Sequence, residues 1–324
     1  MRRGMKGNTV YSTKGEGYRA DIPLRLNLVL VAVFVGLACA QLFVLPLWLL
    51  PTNRLWAIVL FASMLSTTTN WSLIHEAIHR LLAPVARAND ACGRVLAILF
   101  GSPLEMLRFA HLLHHQLNGT PADRPEYYET GATSRVKAAM RYYPYLVMGI
   151  YAAEVAGTFV CFLPRPVLMR FTRLFPMEHG ADARAQAYLL QPSRLLQIRI
   201  DAISVILIYG LAFWFYGGYW PVLVLSILAR GMMVSIADNS YHYGAPLGAG
   251  AGSAQNFRLA WSAGILNFNL HRVHHAHPNL SWARLPDALR ADGDRCDRGY
   301  VSAQLAQFRG PISNREYARF SQSS

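Results

Sequence analysis

The sequence predicts an all-α integral membrane protein. About four transmembrane helices in two hairpins would carry interfacial helices and a cytoplasmic, histidine-rich cap. Three observations predict this. The 324 residues are 53% hydrophobic and only 15% charged, against roughly 25% charged in an average soluble domain. The apolar residues fall in long runs. Eight of the 11 histidines form three tight clusters that those runs separate.

The net charge is +13. Basic residues of this kind serve nucleic acid, anionic lipid or the cytoplasmic loops of a membrane protein. Here they are mostly arginines scattered through loops, without the dense run of a nucleic-acid arm. The reading is therefore a membrane protein with no nucleic-acid partner. Cys39, Cys92, Cys161 and Cys296 are far apart, so no CxxC metal or redox motif is present.

Residues 1–27 carry Arg2, Arg3, Lys6, Lys14, Arg19 and Arg25 and read as a cytoplasmic N-terminal tail. Residues 28–290 read as one membrane domain, and 291–324 as a cytoplasmic C-terminal tail. Leu28 to Leu50 is a run of 23 mostly apolar residues, and about 20 suffice to cross a bilayer as a helix. After the polar turn at Pro51–Arg54, Leu55 to Leu73 crosses back. The basic tail puts His75 and His79 on the cytoplasmic side of the inner membrane.

Residues 76–142 hold eight Lys or Arg and the second histidine cluster. Ala86–Phe109 has the mixed character of a helix lying on the membrane face. Tyr145–Leu163 is apolar apart from Glu154, yet six arginines follow it in 164–200. Ala202–Tyr216 and Tyr219–Ala237 read as a second hairpin turning at Gly217-Gly218. All three histidine clusters must share one side, so an even number of crossings separates them. Tyr145–Leu163 is therefore expected to be re-entrant or interfacial.

His75 and His79 stand at i, i+4, one turn apart on one helix face. The pair also reads as H-E-x-x-H, the zinc-protease motif, with Glu76 as general base. That reading leaves six clustered histidines unexplained. His111, His114 and His115 form H-x-x-H-H, and His271, His274 and His275 repeat it. Adjacent histidines on a helix diverge by about 100°, so each neighbouring pair can reach two different ions. His242 follows Asp238 by four residues and is a plausible ninth nitrogen ligand. Asp238 could ligate or orient an imidazole, and Asn239 lies beside it. Arg230, in an apolar helix, is a functional candidate that could pair with Asp238, bind a substrate carboxylate or reach the interface. His179 and His277 fit no spacing. Asp123 and Glu126 could orient ligands from their loop. Nitrogen ligands suit Zn, Cu, Fe or Ni, and eight or nine imidazoles match two ions.

The set HEAIH, HLLHH and HRVHH, with N-F-N-L before the last and P-N-L-S-W-A-R-L-P after it, resembles the membrane fatty acid desaturase superfamily over roughly residues 28–290. That resemblance implies a di-iron cap using O2 on a lipid or fatty acyl chain. Electrons would come from a separate ferredoxin-like carrier. By motif position His75, His79, His111, His114, His115, His271, His274 and His275 match the family's iron ligands, and His242 resembles an additional one. Asp238 stands where stearoyl-type members carry asparagine. The segment D-N-S-Y-H-Y-G is similar to alkane hydroxylases, while the third box is similar to desaturases. Desaturation leads, with hydroxylation or oxidative decarboxylation as alternatives. A zinc protease and a metal-binding receptor are readings from other classes.

Overall fold

The computed structural model describes residues 21–174, 181–248 and 250–320. Two helical runs are long and apolar enough to cross a membrane, Leu24–Leu49 and Pro192–Ser240. Counting each of two bent helix pairs as one span gives up to four.

The first run begins as α1 (Leu24–Cys39) and continues through a wider π-helical stretch, Ala40–Leu49. Most of α1 turns apolar side chains outward, including Leu26, Leu28, Val29 and Val33. An aliphatic surface of that extent marks contact with lipid. The chain returns as α2 (Val59–Leu65) and α3 (Thr67–Ile78), bent by 42° at Ser66. Buried side-chain bonds tie the two arms. Ser63 Oγ donates to Gln41 Oε1 at 2.5 Å, and Asn27 Nδ2 donates to the Leu82 carbonyl at 2.9 Å.

Next come α4 (Ala86–Phe100) and α5 (Leu104–Leu117), bent by 96° to each other. His79 and His111 lie at the two ends of this stretch, yet their Nε2 atoms are 2.9 Å apart. The pair therefore goes out and comes back. This corrects the expectation of a surface helix over Ala86–Phe109. Leu96, Ala97 and Phe100 are buried in the main core. Burial of a helix end requires partners for its last carbonyls. Tyr209 Oη donates to Leu99 O at 2.8 Å and Tyr151 Oη to Phe100 O at 3.1 Å. Gly101 closes the helix at φ +105°, a conformation glycine adopts without strain.

Helix α6 (Arg135–Pro144) leads through a π-helical turn into α7 (Ile150–Val160). This run is not among the spans long and apolar enough to cross. Helices α8 (Pro192–Tyr216) and α9 (Trp220–Ser240) follow. Arg230 Nη2 donates to Tyr209 Oη at 2.8 Å. A straight helix would separate those residues by about 30 Å, so the chain reverses at Gly217-Gly218 as the sequence predicts. Gly217 has φ +49°. Arg94 anchors α4 to α8 through Asp201 at 2.6 Å.

Helix α10 (His271–Ala276) carries the third cluster. Residues 291–320, expected as a tail, are folded onto the cap. Phe257–Arg258 pairs in parallel with Arg298–Gly299, and Tyr127–Tyr128 with Ile312–Ser313. Gln307 Oε1 accepts from Asn239 Nδ2 at 2.8 Å.

Candidate metal centre

Each histidine cluster sits where a helix stops or starts. His75 lies in the last turn of α3 and His79 just past it. The second cluster occupies the C-terminal half of α5, and His242 follows α9 directly. The third cluster needs a helix to begin at Leu270, and the side chain of a distant residue starts it. Asn256 Oδ1 accepts from the backbone N–H groups of Arg272 at 3.0 Å and Val273 at 3.3 Å. Such a cap satisfies donors that a helix N-terminus leaves open. Arg272 then grips Asp294 at 2.5 Å and Asp297 at 2.8 Å.

The flanking motifs build the loop around α10. Leu266 and Asn267 take left-handed φ of 53° and 54°. Asn267 Nδ2 donates to Trp282 O at 3.0 Å, and Asn269 Nδ2 to Phe257 O at 2.7 Å. Phe268 packs edge-on against His75 and His271.

All nine histidines singled out converge into two groups. His75, His79, His111, His115 and His274 form one. His114, His242, His271 and His275 form the other. Within each group the ligand atoms lie within 4.8 Å of one another. The adjacent pairs split: His114 and His115 go to different groups, as do His274 and His275. Among the described residues, neither group includes a carboxylate or cysteine.

The ring nitrogens face one another. Nε2–Nε2 separations are 2.9 Å for His79–His111, 2.9 Å for His111–His115, 3.0 Å for His115–His274 and 3.2 Å for His271–His275. A neutral imidazole carries one N–H, and the Nε2 atoms of His111 and His115 each face two other ring nitrogens, more than one N–H or one lone pair satisfies. The Nε2 atoms of His75 and His242 are buried with no hydrogen-bond partner. Converging ring nitrogens and orphaned Nε2 atoms are what a metal ion would satisfy. With metal–nitrogen bonds of about 2.1 Å, octahedral ligation gives edges of about 3.0 Å and tetrahedral ligation about 3.4 Å. The contacts of the first group lie near the octahedral edge, whereas those of the second, 3.2 Å for His271–His275 and 3.3 Å for His114–His275, lie between the two values.

Burial, followed by neighbouring imidazoles, holds His242, His271, His274 and His275 well below the ordinary histidine value. They are neutral, the form that ligates metal.

The second group is oriented from outside. His114 Nδ1 donates to Asp123 Oδ1 at 2.9 Å, and His242 Nδ1 to the Ser253 carbonyl at 3.1 Å. Each bond sets the tautomer and leaves Nε2 pointing inward. The Asn118 amide lies 3.1 Å from His275 Nδ1. Sequence reasoning had Asp123 only as one of two loop carboxylates and missed Asn118 and Ser253. No spacing marks them, because their roles depend on where the loops after α5 and α9 close.

Other candidates lie elsewhere. Glu76 is turned away: its Oε2 accepts from Trp282 N at 3.2 Å. It belongs to neither group of converging ligand atoms. Glu126 accepts from Tyr317 Oη at 2.5 Å and from Gly244 N at 3.2 Å. Asn239 is spent on Gln307 and Tyr142. Asp238 belongs to neither group, although its charge acts on His114. Arg230 donates to Tyr151 and Tyr209 instead of pairing with Asp238. His277 bonds exposed Asp292 at 2.7 Å. His179 lies outside the described residues.

No curated protein and no solved structure matches the chain. The fatty acid desaturase family model matches residues 54–305. That range takes in every clustered histidine and the hairpin between the second and third clusters, and the chain belongs to the fatty acid desaturase family.

Proposed function

We propose that the chain is an O2-dependent di-iron oxidoreductase acting on C–H bonds of a fatty acyl or lipid chain. Desaturation is the reaction proposed, with hydroxylation or oxidative decarboxylation as alternatives at the same site. The observation that supports it most is the splitting of His114-His115 and His274-His275 between two nitrogen groups. Two ions held there would be neighbours. When bound, the iron pair supplies O2 activation and C–H cleavage.

The chain's own residues do the rest. His75, His79, His111, His115 and His274 would hold one ion, and His114, His242, His271 and His275 the other. Asp123, Asn118 and the Ser253 carbonyl hold three rings of the second group in register. Asp238 acts on His114 through its charge. Phe268 and Tyr241, packed against His271, keep water from the inner side of the cap. The turning of Glu76 onto Trp282 speaks against a zinc protease.

The proposed topology has two membrane hairpins, with α4–α5 and α6–α7 returning to the side they start from. Tyr142 meets Asn239 and Cys161 meets Arg199, while Tyr151 between them meets Arg230. The cap would face the cytoplasm of the inner membrane, by the basic residues of 1–27. A basic cytoplasmic face suits an acidic carrier such as a ferredoxin, or an acyl carrier protein.

The test is elemental analysis of detergent-purified wild type, His79→Ala and His274→Ala. Two irons per chain, diminished in both variants, are expected, followed by new double bonds or hydroxyls in lipid extracts. About one zinc, lost only with His79, would sink the di-iron reading.

A further inference from the structure

An apolar tunnel is what a hydrocarbon substrate would ask of the bundle interior, yet part of that interior is polar. Arg230, Gln41, Ser63, Ser66, Thr67 and Asn70 share a cavity of about 20 Å³ with apolar residues of α1. That volume holds one or two water-sized groups, the size of a carboxylate's two oxygens. Gln41 is held in place, its Nε2 donating to Ser226 Oγ at 3.0 Å while its Oε1 accepts from Ser63.

Two groups on this cavity are left open. Arg230 Nε, a donor, and Asn70 Oδ1, an acceptor, are buried without partners, and of the two only the guanidinium N–H can bond a carboxylate. Arg230 is pinned from behind, its Nη2 donating to Tyr151 Oη at 2.7 Å and to Tyr209 Oη at 2.8 Å. Those phenols in turn donate to the last carbonyls of α4. A helix C-terminus carries about half a negative charge, so part of the guanidinium charge stays uncompensated. Among the described residues no carboxylate lies within ion-pair distance of Arg230. Glu154 acts on Arg230 through space without touching it, and a cation in an apolar helix with no carboxylate in direct contact is a functional-site candidate.

We propose that this cavity binds the carboxylate of an amphiphilic substrate on Arg230, so that the lipid enters the bundle polar end first. The inference rests on the proposed action on a fatty acyl chain and adds where its head group goes. Asn70 precedes His75 on α3 by five residues, about 8 Å of helix. The oxidised carbon therefore lies near the polar end of the chain.

The test compares binding of radiolabelled palmitate, 1-hexadecanol and methyl palmitate to the iron-loaded protein in detergent at pH 8, without electron donor. Palmitate is expected to bind about tenfold or more tighter than the other two, the worth of one hydrogen bond to a charged group. Arg230→Gln removes that preference and Arg230→Lys keeps part of it. Asn70→Leu, which puts a bulkier side chain on the cavity lining, weakens palmitate alone and serves if Arg230→Gln does not fold. Equal binding of all three probes overturns the proposal and leaves the chain to the apolar cavity of about 260 Å³ beyond the phenols. So does absence of palmitate binding, or a preference that survives Arg230→Gln. Oxidation of ester as fast as acid keeps the proposed reaction and overturns the carboxylate site. An Arg230-dependent preference for palmitate without any oxidation does the reverse.

Discussion

The two histidine groups are built by different means. The five-membered group draws His75 and His79 from the end of α3, His111 and His115 from α5 and His274 from α10. Helix spacing and burial hold it, and its short nitrogen–nitrogen contacts are internal. The four-membered group takes His242 from a turn and leans on loop groups: Asp123, Asn118 and the Ser253 carbonyl. A site held by packed helices resists local change. A site held by loop hydrogen bonds is tunable and more easily emptied.

The largest expected effect breaks the helical group. His111 Nε2 faces both His79 and His115, so His111→Ala should remove at least one iron per chain and abolish product formation. Elemental analysis with product assay checks it. Asp123→Ala tests the loop group. Loss of a carboxylate that orients a ligating imidazole costs about 10–100-fold in metal affinity. Iron content should fall toward one per chain, and retention of two would show that the loop bond is dispensable.

Acid should empty both groups. His242, His271, His274 and His275 are held neutral when folded but protonate in the unfolded chain below about pH 6.5. Their folded values are depressed, so the stability they permit is fully present above about pH 6.5 and declines as pH falls. Protons also compete with metal for the same nitrogens. Iron retention and melting temperature should both drop between about pH 7 and about pH 5.

A smaller effect is expected from Arg272→Ala, which unties α10 from Asp294 and Asp297. Charged hydrogen bonds of this kind are worth about 1.5–3 kcal/mol each, less where water reaches them. A melting temperature lower by a few degrees, with four-group iron lost first, would sharpen the contrast. Glu76→Gln should do least. Glutamine keeps an acceptor for Trp282 N, so iron content and activity should stay near wild type, whereas a zinc protease would lose its base.

Much of this was legible from residue order alone. A 3.6-residue period puts His75 with His79 and His111 with His115, and a 100° step sends His114 the other way. Long apolar runs and the Gly217-Gly218 break are equally local properties, and they foretell the hairpins. What only the tertiary structure decided lies in long-range closure. Ala86–Phe100 reads as a surface helix because its composition is mixed, but tyrosines more than 50 residues away supply partners for its buried carbonyls. Glu76 sits inside a protease-like motif, and only the approach of Trp282, 206 residues later, shows which way it turns. Helical period determines which side chains share a face. Which distant loop meets that face depends on how the whole chain packs, and no local spacing encodes it.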